Sequence, residues 1–415
     1  MKINKIVVSL IAAGLMTSPL AHATNGDSMM AVGSQNTALG GTGVAHFVGA
    51  ESAFANPAML AKSTAREATG GIILFKPKVT NTGMPGGSAA TSSADTNYIP
   101  DISYSSRIND GLSYGIAMAG IAGMGVDFKD APASHVKAKS ALSILKVVPT
   151  IAYNKDSYGV GFSPILQYGS LMLTYNNGAA YNGGESKNTD TGYGFSLGGY
   201  YNVSPAMTVA ASYQSEIAAK YGTQISGAGT GFGLCSPAGG PCTGLPTFSD
   251  DLTQPAEIKV GVAYAMSNIT VTADYKLIKW GSAAGYKDFN WEDQNVLAVG
   301  AKYAGEGYWF GLGYNNANDP IVGLQSSGTA PADYRKSAIN MFNNMFFPAV
   351  VKNSYTFGGG YDISKALAVE GSAVITPEVT KTVQIPHFDQ FSTGIITNTT
   401  KHSQQSYSVS LRYKY

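Results

Sequence analysis

The chain closes on Ser406-Tyr407-Ser408-Val409-Ser410-Leu411-Arg412-Tyr413-Lys414-Tyr415. Every second residue is large and apolar or aromatic, and those between are small, polar or basic. A period of 2 puts successive side chains on opposite faces of an extended strand. The same alternation places Ile258, Val260, Val262, Tyr264 and Met266 on one face of 257–266. It continues with Ile269, Val271, Ala273, Tyr275 and Leu277, against Thr270, Thr272, Asp274 and Lys276. It recurs in 193–203, 207–213, 297–303, 308–314, 355–361 and 367–375. A soluble two-sheet sandwich also alternates. Two features favour a membrane barrel instead: a Tyr near one end of most strands, as in the aromatic girdles, and a second face of Gly and small polar residues, as in a barrel interior.

Connection lengths give the topology. Short turns fall at Asn109-Asp110-Gly111, Lys155-Asp156, Ser204-Pro205, Ser267-Asn268, Gly305-Glu306 and Ser364-Lys365. Longer connections fall near 81–98, 123–142, 176–190, 221–253, 281–292, 315–350 and 379–403. The two kinds alternate strictly, beginning and ending long. Six short and seven long connections join 14 strands. Bacterial barrels have even strand numbers, short periplasmic turns and long outer loops, so both ends of this barrel, residues 66–415, point to the periplasm. An aromatic last residue, Tyr415, suits a chain delivered to barrel assembly machinery.

Composition excludes other classes. Charged residues are 13% of the 415, about half the usual share of roughly 25%. Gly numbers 50 and the net charge is +1. That balance carries no basic footprint for nucleic acid. A hydrophobic content of 44% with low net charge is not that of a disordered chain. No apolar run is long enough for a membrane helix.

Residues 1–23 read as a secretory signal peptide: Lys2 and Lys5, a short apolar core over 6–16, the break Ser18-Pro19, and the A-x-A site Ala21-His22-Ala23. The mature chain then starts at Thr24, outside the cytoplasm, where a disulfide is permitted. Cys235 and Cys242 flank a Gly/Pro-rich stretch with no His close by, which reads as a small loop staple and not a metal site. Residues 24–65 lack alternation and are rich in small residues, in Ala38-Leu39-Gly40-Gly41-Thr42-Gly43-Val44-Ala45 and again in Ala50-Glu51-Ser52-Ala53-Phe54-Ala55-Asn56-Pro57-Ala58. They are too apolar for a disordered lead-in, and Gly permits close backbone packing. A plug folded inside the bore is the better reading, because a 14-strand barrel otherwise leaves a wide lumen.

The small-residue stretch 40–45, the following 50–54 and Asn56-Pro57-Ala58 resemble the N-terminal hatch of the FadL-like family of outer-membrane transporters for long-chain fatty acids and aromatic hydrocarbons. Glu51 stands where many members have Asp. The resemblance implies an all-β, 14-stranded antiparallel transmembrane barrel, a hatch involving Gly40, Gly41, Gly43, Asn56, Pro57 and Ala58, and passive passage of a hydrophobic ligand. It also implies a kinked third strand that opens the wall. Here that strand spans 112–123, with Gly115, Gly120 and Gly123 able to accommodate a kink; Gly spacing in a curved barrel is the plainer account of the same residues.

Two outer loops carry helical spacing. Ala338, Met341, Phe342, Met345 and Phe346 sit at i, i+3, i+4, i+7 and i+8, ended by Pro348, with Lys336, Asn340, Asn343 and Asn344 elsewhere around the helix. Ala138, Ala141, Leu142 and Leu145 have similar spacing, after Asp130 and Pro132. Such faces either cap the barrel or line an apolar ligand pocket of Met341, Phe342, Met345, Phe346, Leu142 and Leu145, for which adaptable Met is suited. Lys137, Lys139, Lys146, Arg335 and Lys336 can pair with a carboxylate or face lipopolysaccharide. His46, His135, His387 and His402 have no metal-ligand spacing, and no catalytic order or cofactor motif stands out. Gly40-Gly41-Thr42-Gly43 lacks the ending of a phosphate loop. The reading is a monomeric outer-membrane channel for hydrophobic small molecules, without cofactor, in contact with outer-membrane lipid and lipopolysaccharide. A general diffusion porin, with rings of inward charge, and an outer-membrane lipid hydrolase are the alternatives.

Overall fold

The structure, a computed structural model, describes residues 24–83, 88–132, 137–174, 186–231, 248–325, 331–385 and 396–415. Fourteen barrel strands follow one another: β1 (Glu67–Asn81), β2 (Asn97–Arg107), β3 (Leu112–Asp127), β4 (Lys139–Lys155), β5 (Tyr158–Thr174), β6 (Asn188–Asn202), β7 (Met207–Gln214), β8 (Glu257–Met266), β9 (Ile269–Ile278), β10 (Gln294–Gly305), β11 (Tyr308–Ala317), β12 (Asn353–Asp362), β13 (Leu367–Ile385) and β14 (Ile396–Lys414). Each pairs antiparallel with its sequence neighbours. β14 returns to β1, from Lys414 opposite Glu67 to Thr400 opposite Asn81. Closure joins the first strand to the last, which is what hydrocarbon demands of a spanning sheet. The strand number and the alternation of short and long connections are those expected from the sequence.

The pleat sorts the faces as the C-terminal decapeptide requires. Val409 is 57% exposed on the outside, while its neighbour Ser410 is 2% exposed on the inside. Ile72, Tyr114, Phe162, Leu197, Tyr264, Leu312, Phe357 and Leu411 extend the same outward band around the barrel. In water so wide an apolar belt would drive association; in a bilayer it is the lipid-facing surface.

Among the described residues the α-helices are α1 (Ser34–Ala38), α2 (Gln224–Gly231) and α3 (Pro331–Phe346). The helix expected around Ala138, Ala141, Leu142 and Leu145 is absent. Residues Lys139–Lys155 form β4, paired to β3 on one side and β5 on the other. The inward positions follow period 2 instead: Ala138, Ser140, Leu142, Ile144, Lys146 and Val148 all turn inward and are buried. Neighbouring strands satisfy both edges of the segment, which decides between the periods. Leu142 and Leu145 therefore lie on opposite faces. β3 also runs beyond Gly123, to Asp127. The signal segment 1–23, and Cys235 and Cys242, lie outside the described residues.

Candidate functional site

Residues 24–65 lie within the barrel. They start near its outer half, where Thr24 pairs with Met29 in a small hairpin, and end at the periplasmic mouth, where β1 begins. Gly40 and Gly41 both have positive φ, 74° and 85°. A Cβ on Gly40 would meet the Tyr314 carbonyl at 2.8 Å, and one on Gly41 the Met30 carbonyl at 2.7 Å. Only glycine combines that backbone with that closeness. Gly43 and Val44 donate their N–H groups to Asp274 Oδ2 on β9 at 2.8 and 2.9 Å.

Asn56 is the N-cap of the 3-10 turn Pro57–Lys62. Its Oδ1 accepts from Ala58 N–H at 3.0 Å, and its Nδ2 donates to the Val44 carbonyl at 2.8 Å and to the Gly199 carbonyl of β6 at 3.3 Å. Pro57 supplies the fixed φ suited to the first position of such a turn. One side chain thus ties two parts of the hatch to each other and to the wall. Gly198 and Gly161 leave the room: a Cβ there would fall 1.9 Å from Asn56 Oδ1 and 2.4 Å from Ala58 N.

The wall is broken beside the hatch. β2 and β3 pair from Arg107 opposite Ser113 to Asp101 opposite Ala119, and no further among the described residues. There β3 slips register against β4: Gly120 faces Leu145, Ala122 faces Ile144, and Ile121 is extra. A bulge of this kind bends its strand. Past it, the free side of β3 is met by the hatch. Ser28 pairs with Ala122, and Gly123 N–H donates to the Asp27 carbonyl at 2.9 Å. At the outer end Ser93 N–H donates to the Asp127 carbonyl, also at 2.9 Å. Gly120 and Gly123 flank this break. Gly115 does not; it sits in regular pairing, and a Cβ there would come within 2.6 Å of Leu60 Cδ2 of the hatch.

Above the break lies the outer-loop cluster. Met341, Phe342, Met345 and Phe346 of α3 are completely buried. Phe342 stacks on Phe289 (4.6 Å between ring centres) and on Phe346 (4.8 Å), and Phe289 stacks on Phe248 (4.7 Å). The guanidinium of Arg335 lies 4.5 Å from the centre of the Phe248 ring. Trp280, Tyr286 and Trp291 pack on one another close by. This cluster is continuous with Leu142, Met124, Ala122 and Ile121 of the wall and with Met29 and Val32 of the hatch. The hydroxyl of Ser140 donates to the Phe346 carbonyl at 2.6 Å, joining β4 to α3. The sequence reading of α3 missed its polar side. Asn343 is buried, donating to the Phe289 carbonyl at 2.7 Å and accepting from Trp291 Nε1 at 3.1 Å. Asn340 and Asn344 are buried too, bonded to the Leu324 and Asn398 carbonyls. From Ser337 to Phe346 the helix is buried on every side and is not amphipathic on water.

The residues missed entirely are those of the 278–294 connection: Trp280, Tyr286, Phe289 and Trp291. Two of the chain's three tryptophans fall in that short stretch, and that was the available signal. Tyr286 also reaches the hatch, its hydroxyl donating to the Asp27 carboxylate, while Gln254 Nε2 donates to the same hydroxyl at 3.0 Å. Burial pushes the Asp27 carboxyl up to about 6, against the lowering effect of these hydrogen bonds.

Although charged residues are only 13% of the chain, several turn inward. A cavity of about 70 Å³ lies between hatch and wall, with Met30 and Phe54 on one side and Lys146, Glu257, Lys259 and Lys276 on another. Lys259 pairs with Glu257 at 3.0 Å and donates to the Phe54 carbonyl at 3.2 Å. These charges occupy the inward positions between apolar outward neighbours such as Ile258 and Val260.

A closed 14-strand barrel with a lipid-facing belt, a folded internal hatch and a broken wall is a plugged outer-membrane channel. The sequence matches the family described as outer membrane protein transport protein (OMPP1/FadL/TodX) over residues 13–415, and the chain belongs to that family. Its fold is similar to the Pseudomonas putida toluene transporter TodX, at 16% identity and TM-score 0.64 over 93% of this chain and 99% of that one. A Pseudomonas aeruginosa FadL homologue is similar at 16% identity and TM-score 0.67, over 94% and 99%. The Ralstonia pickettii toluene transporter TbuX gives 17% and 0.62, over 93% and 99%. Among curated proteins no sequence matches significantly. The protein is an outer-membrane β-barrel of a transport family, not of an enzyme family.

Proposed function

We propose that this protein carries hydrophobic small molecules, long-chain fatty acids or aromatic hydrocarbons, passively across the outer membrane. The observation that carries the reading is the continuity of one apolar cluster from Phe342 in the outer loops to Ile121 at the broken wall. An apolar solute crosses the lipopolysaccharide leaflet slowly. Loop side chains that part around it replace water with apolar contact, and burial drives the transfer. Met341 and Met345 re-pack readily around varied shapes. From there the cluster leads to the gap between β2 and β3, where the solute meets the membrane interior. The gradient alone drives the flow. The barrel works as a monomer in lipid, placed there by barrel assembly machinery.

A general porin is the weaker reading. Its polar solutes need an aqueous bore, and here hatch residues fill the lumen, with Ala58, Met59 and Leu60 fully buried.

The hatch controls passage, and Asn56 is where it can be tested. Replacing Asn56 and Pro57 by Ala removes three hydrogen bonds, each worth about 0.5–1.5 kcal/mol. None of them is part of the strand ladder. Hydrophobic uptake by cells lacking their own transporter is expected to change, while the barrel stays inserted and heat-stable. Unchanged uptake at equal surface amount would reduce Asn56-Pro57-Ala58 to a turn.

A further inference from the structure

The periplasmic end of the barrel contains a buried ionic hub that the passage of apolar solutes does not use. Arg412 on β14 makes five hydrogen bonds. Its Nε and Nη2 donate to Glu370 of β13 at 3.2 and 3.0 Å, and its Nη1 to Glu67 of β1 at 3.0 Å. Nη2 also donates to Glu51 of the hatch at 2.6 Å and to the Val48 carbonyl at 3.0 Å. Arg412, Glu51, Glu67 and Glu370 are all at most 5% exposed.

The placement matters more than the number of bonds. β14 is the strand that closes the barrel on β1, and Arg412 sits near the end of that seam, opposite Thr69. One guanidinium therefore joins both sides of the closure and the hatch. The hatch backbone is shaped to admit it. Gly49 has φ 113°, and a Cβ there would fall 1.8 Å from Arg412 Nη1. Beside the hub an open hollow of about 260 Å³ separates hatch from wall, lined by Phe47 and Gly49 on one side and Trp309 and Glu370 on the other. Across this end the hatch is held partly by polar ties: Lys62 Nζ donates to Asn202 Oδ1 at 3.0 Å and Ser103 Oγ to Glu51 Oε2 at 3.3 Å, and the Glu51–Arg412 pair is the charged one that also reaches the closing seam.

We propose that Glu51 and Arg412 form the anchor that holds the hatch across the periplasmic mouth and seals the barrel against polar solutes. Arg412 is a positioning residue: it touches no transported molecule. A forked guanidinium suits the task, because it can bind the hatch carboxylate while still neutralising two wall carboxylates. Three carboxylates around one arginine leave the hub on the acidic side, so losing one charge leaves Arg412 paired. The seal, not the barrel, should depend on which carboxylate is lost.

The test compares two substitutions that remove the same charge from the same arginine. Glu51→Gln takes it from the hatch and Glu67→Gln from the wall. The full-length protein is purified, inserted into vesicles, and scored for leak of a small sugar, for heat stability, and for passage of toluene. Glu51→Gln is expected to raise sugar leak by about tenfold or more, a barrier change of roughly 1.4 kcal/mol, with barrel heat stability retained. Glu67→Gln is expected to stay as tight as wild type. A tight Glu51→Gln, or equal leak from both, overturns the anchor. Should Glu51→Gln fail to insert, Arg412→Lys serves. A lysine keeps the charge but cannot fork to hatch and wall together, so it is expected to leak, and an Arg412→Lys barrel as tight as wild type overturns the anchor equally. The inference rests on the reading of a hatch within a hydrophobic channel. Absence of toluene passage in the wild type would sink that reading without deciding the leak comparison.

Discussion

Deleting Ile121 is expected to cut hydrophobic uptake by about tenfold or more, equivalent to a barrier raised by roughly 1.4 kcal/mol, and to leave the barrel folded. Ile121 is the residue by which β3 exceeds β4 between Gly120 and Ala122. Without it, Gly120–Leu145 and Ala122–Ile144 become successive pairs, and β3 has no reason to bend there. A straight β3 can continue its ladder with β2 past Ala119, which shuts the gap now met by Ser28 and Gly123 of the hatch contact. Strand pairing increases, so heat stability should hold or rise. The measurement is uptake of a labelled hydrocarbon or fatty acid by cells lacking their own transporter, at matched surface amounts. Uptake at the wild-type rate would mean that solute leaves through the lumen and not through the wall.

Phe342→Ala is expected to have the second large effect. Phe342 is completely buried and stacked between Phe289 and Phe346. Truncating a buried Phe costs about 3–5 kcal/mol in a well-packed core. Here that cost falls on the outer loops and not on the strands, so barrel unfolding should not move. Apolar contact worth about 1.5–3 kcal/mol is lost to any ligand seated there, which weakens affinity by roughly tenfold or more. Ligand binding to detergent-solubilised protein reads this directly. Asn343→Ala, which the helical spacing alone would make a neutral control, is not one. It strips the Trp291 Nε1 and Phe289 carbonyl partners and unsettles the same cluster. Wild-type affinity in Phe342→Ala would leave α3 as a lid with the ligand bound elsewhere.

The barrel was legible because lipid imposes a rule with few exceptions: outward apolar, inward polar, at period 2. Ser406 to Tyr415 states that rule in ten residues, and turn lengths supply the strand number. The hatch was legible from its small residues and Asn56-Pro57-Ala58, though not the reasons for them. Gly40 and Gly41 answer to the backbones of Tyr314 and Met30, which are distant or unmarked in the sequence. The segment at Ala138–Leu145 went wrong because its four apolar residues match a helix face, whereas a strand between lipid and the apolar loop cluster carries apolar residues on both faces, and only the pairing with β3 and β5 chooses. The inner face of the outer cluster was hidden for a similar reason. Phe289 and Trp291 meet Asn343 from another loop, and a helical wheel of α3 alone assigns Asn343 to water. Arg412 read as one polar position in a strand; its three carboxylates come from β1, β13 and the hatch, which meet only when the barrel closes.

A channel selective for hydrophobic solutes must show that selectivity in intact cells. The wild-type protein is placed in the outer membrane of cells lacking their own transporter, and initial uptake of toluene, of a long-chain fatty acid and of a disaccharide is followed at limiting concentrations. Uptake of toluene or the fatty acid is expected to be faster than in cells without the protein, with no change for the disaccharide. Faster disaccharide uptake with no gain for either hydrophobic solute would contradict it and make the protein a porin.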